Sequence, residues 1–339
     1  MTATTDVDNT PAGYLDENAR DDRLRQLSSQ LGGEVVSFGT SVEGRALSAA
    51  VIPATTAAAP TVFINGNLHG VEWIGGLCAL GVLEALGTPR GQWLRERARV
   101  VVAPCLNPDG FAATARSLSS PPSSWSSAST TKQQGTLKDL RTNKNGVDLN
   151  RNFPRPNRDE RHGGPWADQA ALLAVSGSSD PRRATWRGTA PLSEPEARAV
   201  DGLLSRYAPH VVISFHSFMG TLIPPKVTTW RDASTYRRLC RAWRRGQPHR
   251  FAPTFMFAPV DVFTGELEDH AHHVHGAWAL TVEVFPLWRT FAQHLVAPSL
   301  FARFNPRDPA ITVDDAVGGC LACVAAALDT PRPSVRFST

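Results

Sequence analysis

Hydrophobic positions along this chain alternate between two patterns. Short apolar runs bounded by Gly, Asn, Asp and Pro are followed by stretches in which apolar residues recur at helical spacing. The run Thr61-Val-Phe-Ile64 has the length and β-branched content of a buried strand, and Asn65-Gly66-Asn67 is turn chemistry that ends it. From about Glu72, the residues Ile74, Leu77, Cys78, Leu80 and Leu83 fall on a helical period. Arg99 to Ala103, His210 to Phe215 and Leu280 to Phe285 read as further buried strands. Glu34 to Phe38 and Arg45 to Ile52, separated by Gly39 to Gly44, read as a β-hairpin at a sheet edge. Asp22 to Leu31 predicts a short helix closed by Gly32-Gly33, and Asp315 to Leu328 a final helix. Ser193 and Glu196 have the spacing of a capping box that opens a helix to about Tyr207, while Asn107-Pro-Asp-Gly110 reads as a turn. Strands alternating with helices predict a single α/β domain, with a mostly parallel sheet covered on both faces.

Composition narrows this. At 339 residues and 42% hydrophobic, the chain can bury a large core. Residues 1–20 are polar and acidic and read as a mobile tail before a domain at 21–330. They lack the basic start and apolar stretch of a secretory signal. Residues 117–134 are rich in Ser, Thr and Pro and read as a flexible loop within that domain. The apolar runs fall short of the ~20 residues that a membrane-spanning helix needs, so no membrane partner is expected. The formal charge of +4 is small and its arginines are dispersed, which does not argue for nucleic acid. Five scattered cysteines fit a reducing cytoplasm better than a disulfide framework, and Cys320 with Cys323 reads as core packing.

Candidate chemistry gathers at strand ends. His69 follows the first buried strand and Glu72 stands three positions later. Imidazole and carboxylate both suit zinc, although a lone His-x-x-Glu is more often a surface pair. His216 closes another strand, and sites in open α/β sheets collect at the carboxyl ends of strands. Glu283, flanked by Val282 and Val284, either faces outward on an alternating strand or is a functional buried carboxylate. Asn150 and Arg151 offer an amide and a bidentate fork suited to a free carboxylate, and Arg141 offers a second guanidinium for developing negative charge.

The segments Gly39 to Arg45, His69 to Trp73, Asn107 to Phe111, Gly146 to Pro154, Pro191 to Glu196, Ser214 to Ser217 and Glu283 occur in one order. In that order they resemble the zinc metallocarboxypeptidase family, which contains the pancreatic A/B and the regulatory N/E types. The stretch Gly146-Val-Asp-Leu-Asn-Arg-Asn-Phe-Pro154 is the most specific of them. The resemblance implies a mixed sheet of about eight strands between helices, and one Zn2+ per chain on His69, Glu72 and His216 with an open fourth position. It further implies that Glu283 is the general base, that Arg141 steadies the oxyanion, and that Asn150 and Arg151 hold the substrate's terminal carboxylate. Glu268 aligns with the base of the family's side-chain pocket, where an acidic group favours a Lys- or Arg-like end residue. Its alternative is a solvated helix start formed with Glu266 and Asp269.

Some positions depart from the family. Its mobile tyrosine is missing from Ala258 to Gly265, and the only tyrosines are Tyr14, Tyr207 and Tyr236, so Asp261 or Phe263 would stand in its place. Val71 stands where an arginine is common. The run Asp269 to His275 holds four histidines. A second metal or tuning of the substrate pocket is open to them, and packed rings at a helix start are the commoner explanation. The reading that results is a cytoplasmic zinc metallocarboxypeptidase hydrolysing an amide next to a free carboxylate, on a small peptide or carboxylated metabolite. Its rivals are an amidase or deacylase of an N-acyl amino acid or biosynthetic intermediate, and a non-catalytic binding protein on the same fold.

Overall fold

The computed structural model describes residues 10–119, 136–154, 177–227, 229–249, 254–255, 265–285 and 299–333. Most of the Ser-rich segment, residues 1–9 of the tail, and Asp261 and Phe263 lie outside the described residues.

Eight strands form one sheet: β1 (Glu34–Thr40), β2 (Ala46–Ile52), β3 (Thr61–Gly66), β4 (Arg99–Ala103), β5 (Val211–Ser217), β6 (Thr221–Ile223), β7 (Thr254–Phe255) and β8 (Trp278–Val284), in the order β1-β2-β4-β3-β5-β8-β6-β7. The centre, β4-β3-β5-β8, is parallel, and β1–β2, β2–β4 and β6–β8 are antiparallel. The sheet is therefore mixed, with its hairpin at one edge.

Alternation along the parallel strands builds two cores. Val62 and Ile64, Ile213 and Phe215, and Leu280 and Val282 face one side. There they pack with α2 (Trp73–Ala85) and the helices Trp230–Gly246 and Ala310–Leu328, which contribute Trp243, Cys320 and Val324. Phe63, Val212 and Ala279 face the other side, against Leu203 and Leu204 of the helix Pro195–Tyr207 and Leu267 and Ala271 of the helix Leu267–His273. Full burial of side chains of this size is worth about 1.5–3 kcal/mol each, which fixes the register of the central strands. On this second face the apolar positions give way to Asn65, Ser214, His216, Thr281 and Glu283 towards the strand ends. The same period of two that buries the core thus lines up a polar row where strands emerge.

Several boundaries differ from the sequence-based expectation. The first helix, α1, spans Glu17–Gln30 because Asp16 caps it, its carboxylate accepting from Ala19 N at 2.7 Å. Asn107-Pro-Asp-Gly110 opens a helix, Pro108–Ser119, rather than a turn: Asn107 Oδ1 accepts from Gly110 N at 2.9 Å, and Pro108 loses no needed N–H in the first turn. The Ser193–Glu196 capping box does not form. Glu194 is the N-cap, and both glutamates are recruited by Asn143, at 2.7 and 3.0 Å. The last helix starts at Ala310, not Asp315, and its 19 residues make it long and apolar enough to cross a membrane. Its apolar run is broken by Asp314 and Asp315, and the helix packs on the first core.

Candidate active site

The strand β3 ends at Gly66, and Asn67 turns the chain with a positive φ of 51°. His69 and Glu72 then follow, with Glu72 as N-cap residue of α2. Asn305 holds this turn: its Oδ1 accepts from Ile74 N at 2.9 Å and its Nδ2 donates to Val71 O at 2.8 Å. The close approach of α2 to the sheet requires glycine. A Cβ on Gly75 would lie 2.5 Å from Phe215 O, and one on Gly66 2.4 Å from Gly75 C.

That approach brings three donors together. His69 Nδ1 lies 2.9 Å from Glu72 Oε1, His216 Nδ1 3.0 Å from Glu72 Oε2, and the two Nδ1 atoms are 3.2 Å apart. All three side chains are buried. The far side of each ring has its own partner: His69 Nε2 sits 3.0 Å from Asp148 Oδ1, and His216 Nε2 3.2 Å from Ser214 Oγ, which donates to Asn65 Oδ1 at 2.7 Å. Two imidazoles and a carboxylate converging on one point, with outer partners fixing each ring, suit a borderline divalent cation such as zinc.

Glu283 is the register partner of His216 on β8, and its Oε2 accepts from Met219 N at 3.3 Å. Burial first, then the charge of Glu72, pushes its carboxyl up to about 8. Burial also opposes ionisation of Glu72 and Asp148, but both are held below the usual carboxylate range. His69 and His216 outweigh burial at Glu72, and Arg141 and His69 do so at Asp148. Burial lowers His216. Arg141 Nε donates to Asp148 Oδ2 at 2.9 Å, and its Nη1 stands 3.9 Å from Glu72 Oε1.

The amide N of Asn150 donates to Asp148 Oδ1 at 3.0 Å, so the Asn150–Arg151 pair begins directly beside the His69 ring. Asn150 Oδ1 accepts from Leu267 N at 2.9 Å, and its NH2 group has no hydrogen-bond partner among the described residues. Arg151 is fixed by its own neighbours, with Nη1 2.6 Å from Asn150 O and 3.3 Å from Glu266 Oε1.

Residues 23–284 match the zinc carboxypeptidase family. The chain belongs to that family. It is 32% identical over 195 residues to murein peptide amidase A of Escherichia coli (strain K12), covering 56% of this chain and 63% of that protein. It is 24% identical over 240 residues to human mast cell carboxypeptidase A, covering 67% of this chain and 50% of that protein. The chain thus spans about half to under two thirds of these relatives. In fold it matches thrombin activatable fibrinolysis inhibitor with a TM-score of 0.70 at 18% identity, over 97% of this chain and 77% of that one.

Against the zinc carboxypeptidase pattern, Glu268 is the carboxylate whose surroundings were open. It is buried, not a solvated helix start, and accepts from Thr281 Oγ1 at 2.7 Å. Thr281 precedes Glu283 by two on β8, so both occupy one sheet face. Burial, then neighbouring Asp269, pushes the Glu268 carboxyl up to about 7. Two of the four nearby histidines are packed rings, as expected: His272 Nδ1 meets Tyr236 OH at 2.9 Å, and His273 Nε2 donates to Lys226 O at 2.8 Å. None of the three tyrosines replaces the family's missing one. The hydroxyl of Tyr14 is spent on Pro306 O, that of Tyr236 on Ala279 N, and Tyr207 packs on the second core.

Sequence reasoning missed Asp148. It ties His69, Arg141 and Asn150 together, and its signal was present: a carboxylate between Val147 and Leu149, inside the most specific stretch. It also missed Asp109, which gathers Ser41 Oγ, Glu43 N and Arg45 Nη1 at 2.7–2.9 Å and fixes the β1–β2 loop.

Proposed function

We propose that this protein is a zinc-dependent metallocarboxypeptidase that hydrolyses an amide bond next to a free carboxylate in a small peptide or peptide-like metabolite. One observation carries the reading. A three-donor set with outer partners faces a half-buried glutamate across one strand pair, and a carboxylate clamp begins two residues from Asp148. His69, Glu72 and His216 would hold one Zn2+ per chain. When bound, it supplies Lewis acidity to the scissile carbonyl and to water.

The protein's own groups do the rest. Arg151 and the Asn150 amide hold the substrate's carboxylate, which sets the amide to be cleaved against Glu283. Glu283 takes a proton from the attacking water and passes it to the leaving amine. Arg141, oriented by Asp148, balances negative charge developing on the carbonyl oxygen. Glu268 lies behind Thr281 as an acidic end to the side-chain pocket and favours a basic end residue. The likeness to a murein peptide amidase supports a second reading within the same chemistry, an amidase or deacylase acting on a metabolite rather than a peptide end. Complete metal and base sets weigh against a purely binding role. Five cysteines, all unpaired and buried, support a reducing, cytoplasmic setting.

The test is turnover by the zinc-loaded protein and its E283Q variant on blocked dipeptides with basic, aromatic, aliphatic and acidic ends, beside a set of N-acyl amino acids. Cleavage of dipeptides by the parent alone supports the carboxypeptidase. Cleavage confined to the N-acyl set moves the assignment to an amidase, and stoichiometric zinc with no turnover of either set overturns both.

A further inference from the structure

Three side chains outside the catalytic crevice repeat its geometry. His270 projects from the helix Leu267–His273, His275 from the turn that follows it, and Asp201 from the helix Pro195–Tyr207. His270 Nε2 is 2.7 Å and His275 Nε2 2.9 Å from the same oxygen, Asp201 Oδ1, and the two Nε2 atoms are 3.2 Å apart. In the catalytic set the two rings meet separate oxygens of Glu72, at 2.9 and 3.0 Å, and their Nδ1 atoms are likewise 3.2 Å apart. The ring geometry repeats as well: centroids 4.9 Å apart at 79° for His270 and His275, against 4.8 Å at 67° for His69 and His216.

Hydrogen bonding alone accounts poorly for this arrangement. Two neutral imidazoles serve one carboxylate oxygen only if both place their protons on Nε2, which sets two N–H groups against each other across 3.2 Å. A divalent cation removes the conflict, because both Nε2 lone pairs and the carboxylate oxygen then point at the same charge. The His270 side chain is 2% exposed, so its ring cannot swing to water, while Asp201 at 30% leaves a solvent-facing side for a further ligand. Phe153 stacks on the His270 ring at 5.4 Å and 28°, and fixes its direction.

We propose that Asp201, His270 and His275 form a second metal site, separate from the catalytic donors, for a divalent transition cation of the zinc type. Two imidazoles and one carboxylate suit zinc, and also cobalt, nickel and copper, and do not suit calcium or magnesium. The site joins two helices of the second core. One of them begins at Leu267, whose N–H is held by Asn150 Oδ1, and is preceded by Glu266, which pairs with Arg151. A cation there ties the helix Leu267–His273 to the helix Pro195–Tyr207.

The experiment counts zinc. Chelator-stripped protein is titrated with Zn2+ against a chromophoric competitor, and metal per chain is measured by elemental analysis after desalting. The parent and H69A are compared with D201N and H275Q, two substitutions on the solvent side of the cluster that keep side-chain size. The expected result is two zinc per parent chain and one per chain in each variant, with D201N and H275Q keeping dipeptide turnover and H69A losing it. Melting in excess zinc against chelator adds a second readout, with the zinc-dependent rise smaller in D201N and H275Q than in the parent. One zinc per parent chain, unchanged in D201N and H275Q and lost in H69A, overturns the proposal and leaves the cluster to hydrogen bonds.

Discussion

His216 and Glu283 stand opposite each other as register partners on the parallel strands β5 and β8. The imidazole takes part in the donor set while the carboxylate beside it stays outside, with Met219 N the one hydrogen-bond donor to it among the described residues. Substituting Glu283 by Gln keeps size and removes the proposed base. Turnover of the best dipeptide is expected to fall by about 10²–10⁴-fold, the usual worth of a positioned base, with zinc content unchanged. A variant that keeps parental turnover removes Glu283 from the proposed mechanism.

Asp148 is the hinge of the site's charge. It faces the His69 ring with one oxygen and Arg141 with the other, at 3.0 and 2.9 Å. In D148N the amide oxygen still serves one partner, but its NH2 group meets a donor on the other side. Outer partners of this kind are worth about 10–100-fold in metal affinity. A loss of zinc affinity in that range by competition titration is the expected outcome, and an unchanged dissociation constant would show that packing alone orients His69.

Gly75 sets two effects against each other. Alanine there gains about 0.8–1 kcal/mol of helix propensity, yet its Cβ meets Phe215 O at 2.5 Å. A backbone carbonyl cannot rotate away as a side chain can, and overpacking costs about 1–3 kcal/mol. The clash wins, so G75A is expected to melt below the parent. Zinc affinity is expected to fall with it, since α2 carries Glu72 toward His216. A higher melting temperature would show that α2 moves off the sheet at no cost.

Much of this was legible because it is local. The runs that end before His69 and include His216, and the alternation that puts Glu283 on the face of Thr281, are periodicities of a single segment. What was illegible depends on partners far away in the chain. Ser193 and Glu196 looked like a capping box, yet Glu194 is the N-cap and Glu196 is bound by Asn143; α1 starts early because Asp16, not an apolar pattern, begins it. Asp201 carries no signal near the histidine run, since only the packing of two helices brings it to His270 and His275.

Glu268 gives a pH dependence whose sign follows from its environment. Burial and then Asp269 push its carboxyl up to about 7, above the ordinary value of ~4.3. For stability, a raised carboxyl favours the protonated folded form, so its contribution is whole below about pH 4 and declines as pH rises through about 7. For selectivity the direction reverses, because only the ionised group attracts a basic end residue. The ratio of kcat/KM for a Lys-ended over a Leu-ended dipeptide is expected to rise by up to about tenfold between pH 6 and pH 8, as the ionised fraction grows. In E268Q the ratio should stay flat over the same range, and the variant should melt no lower than the parent at pH 8. A parental ratio that does not change with pH would place Glu268 outside the substrate's reach, and its burial against Thr281 would then be purely structural.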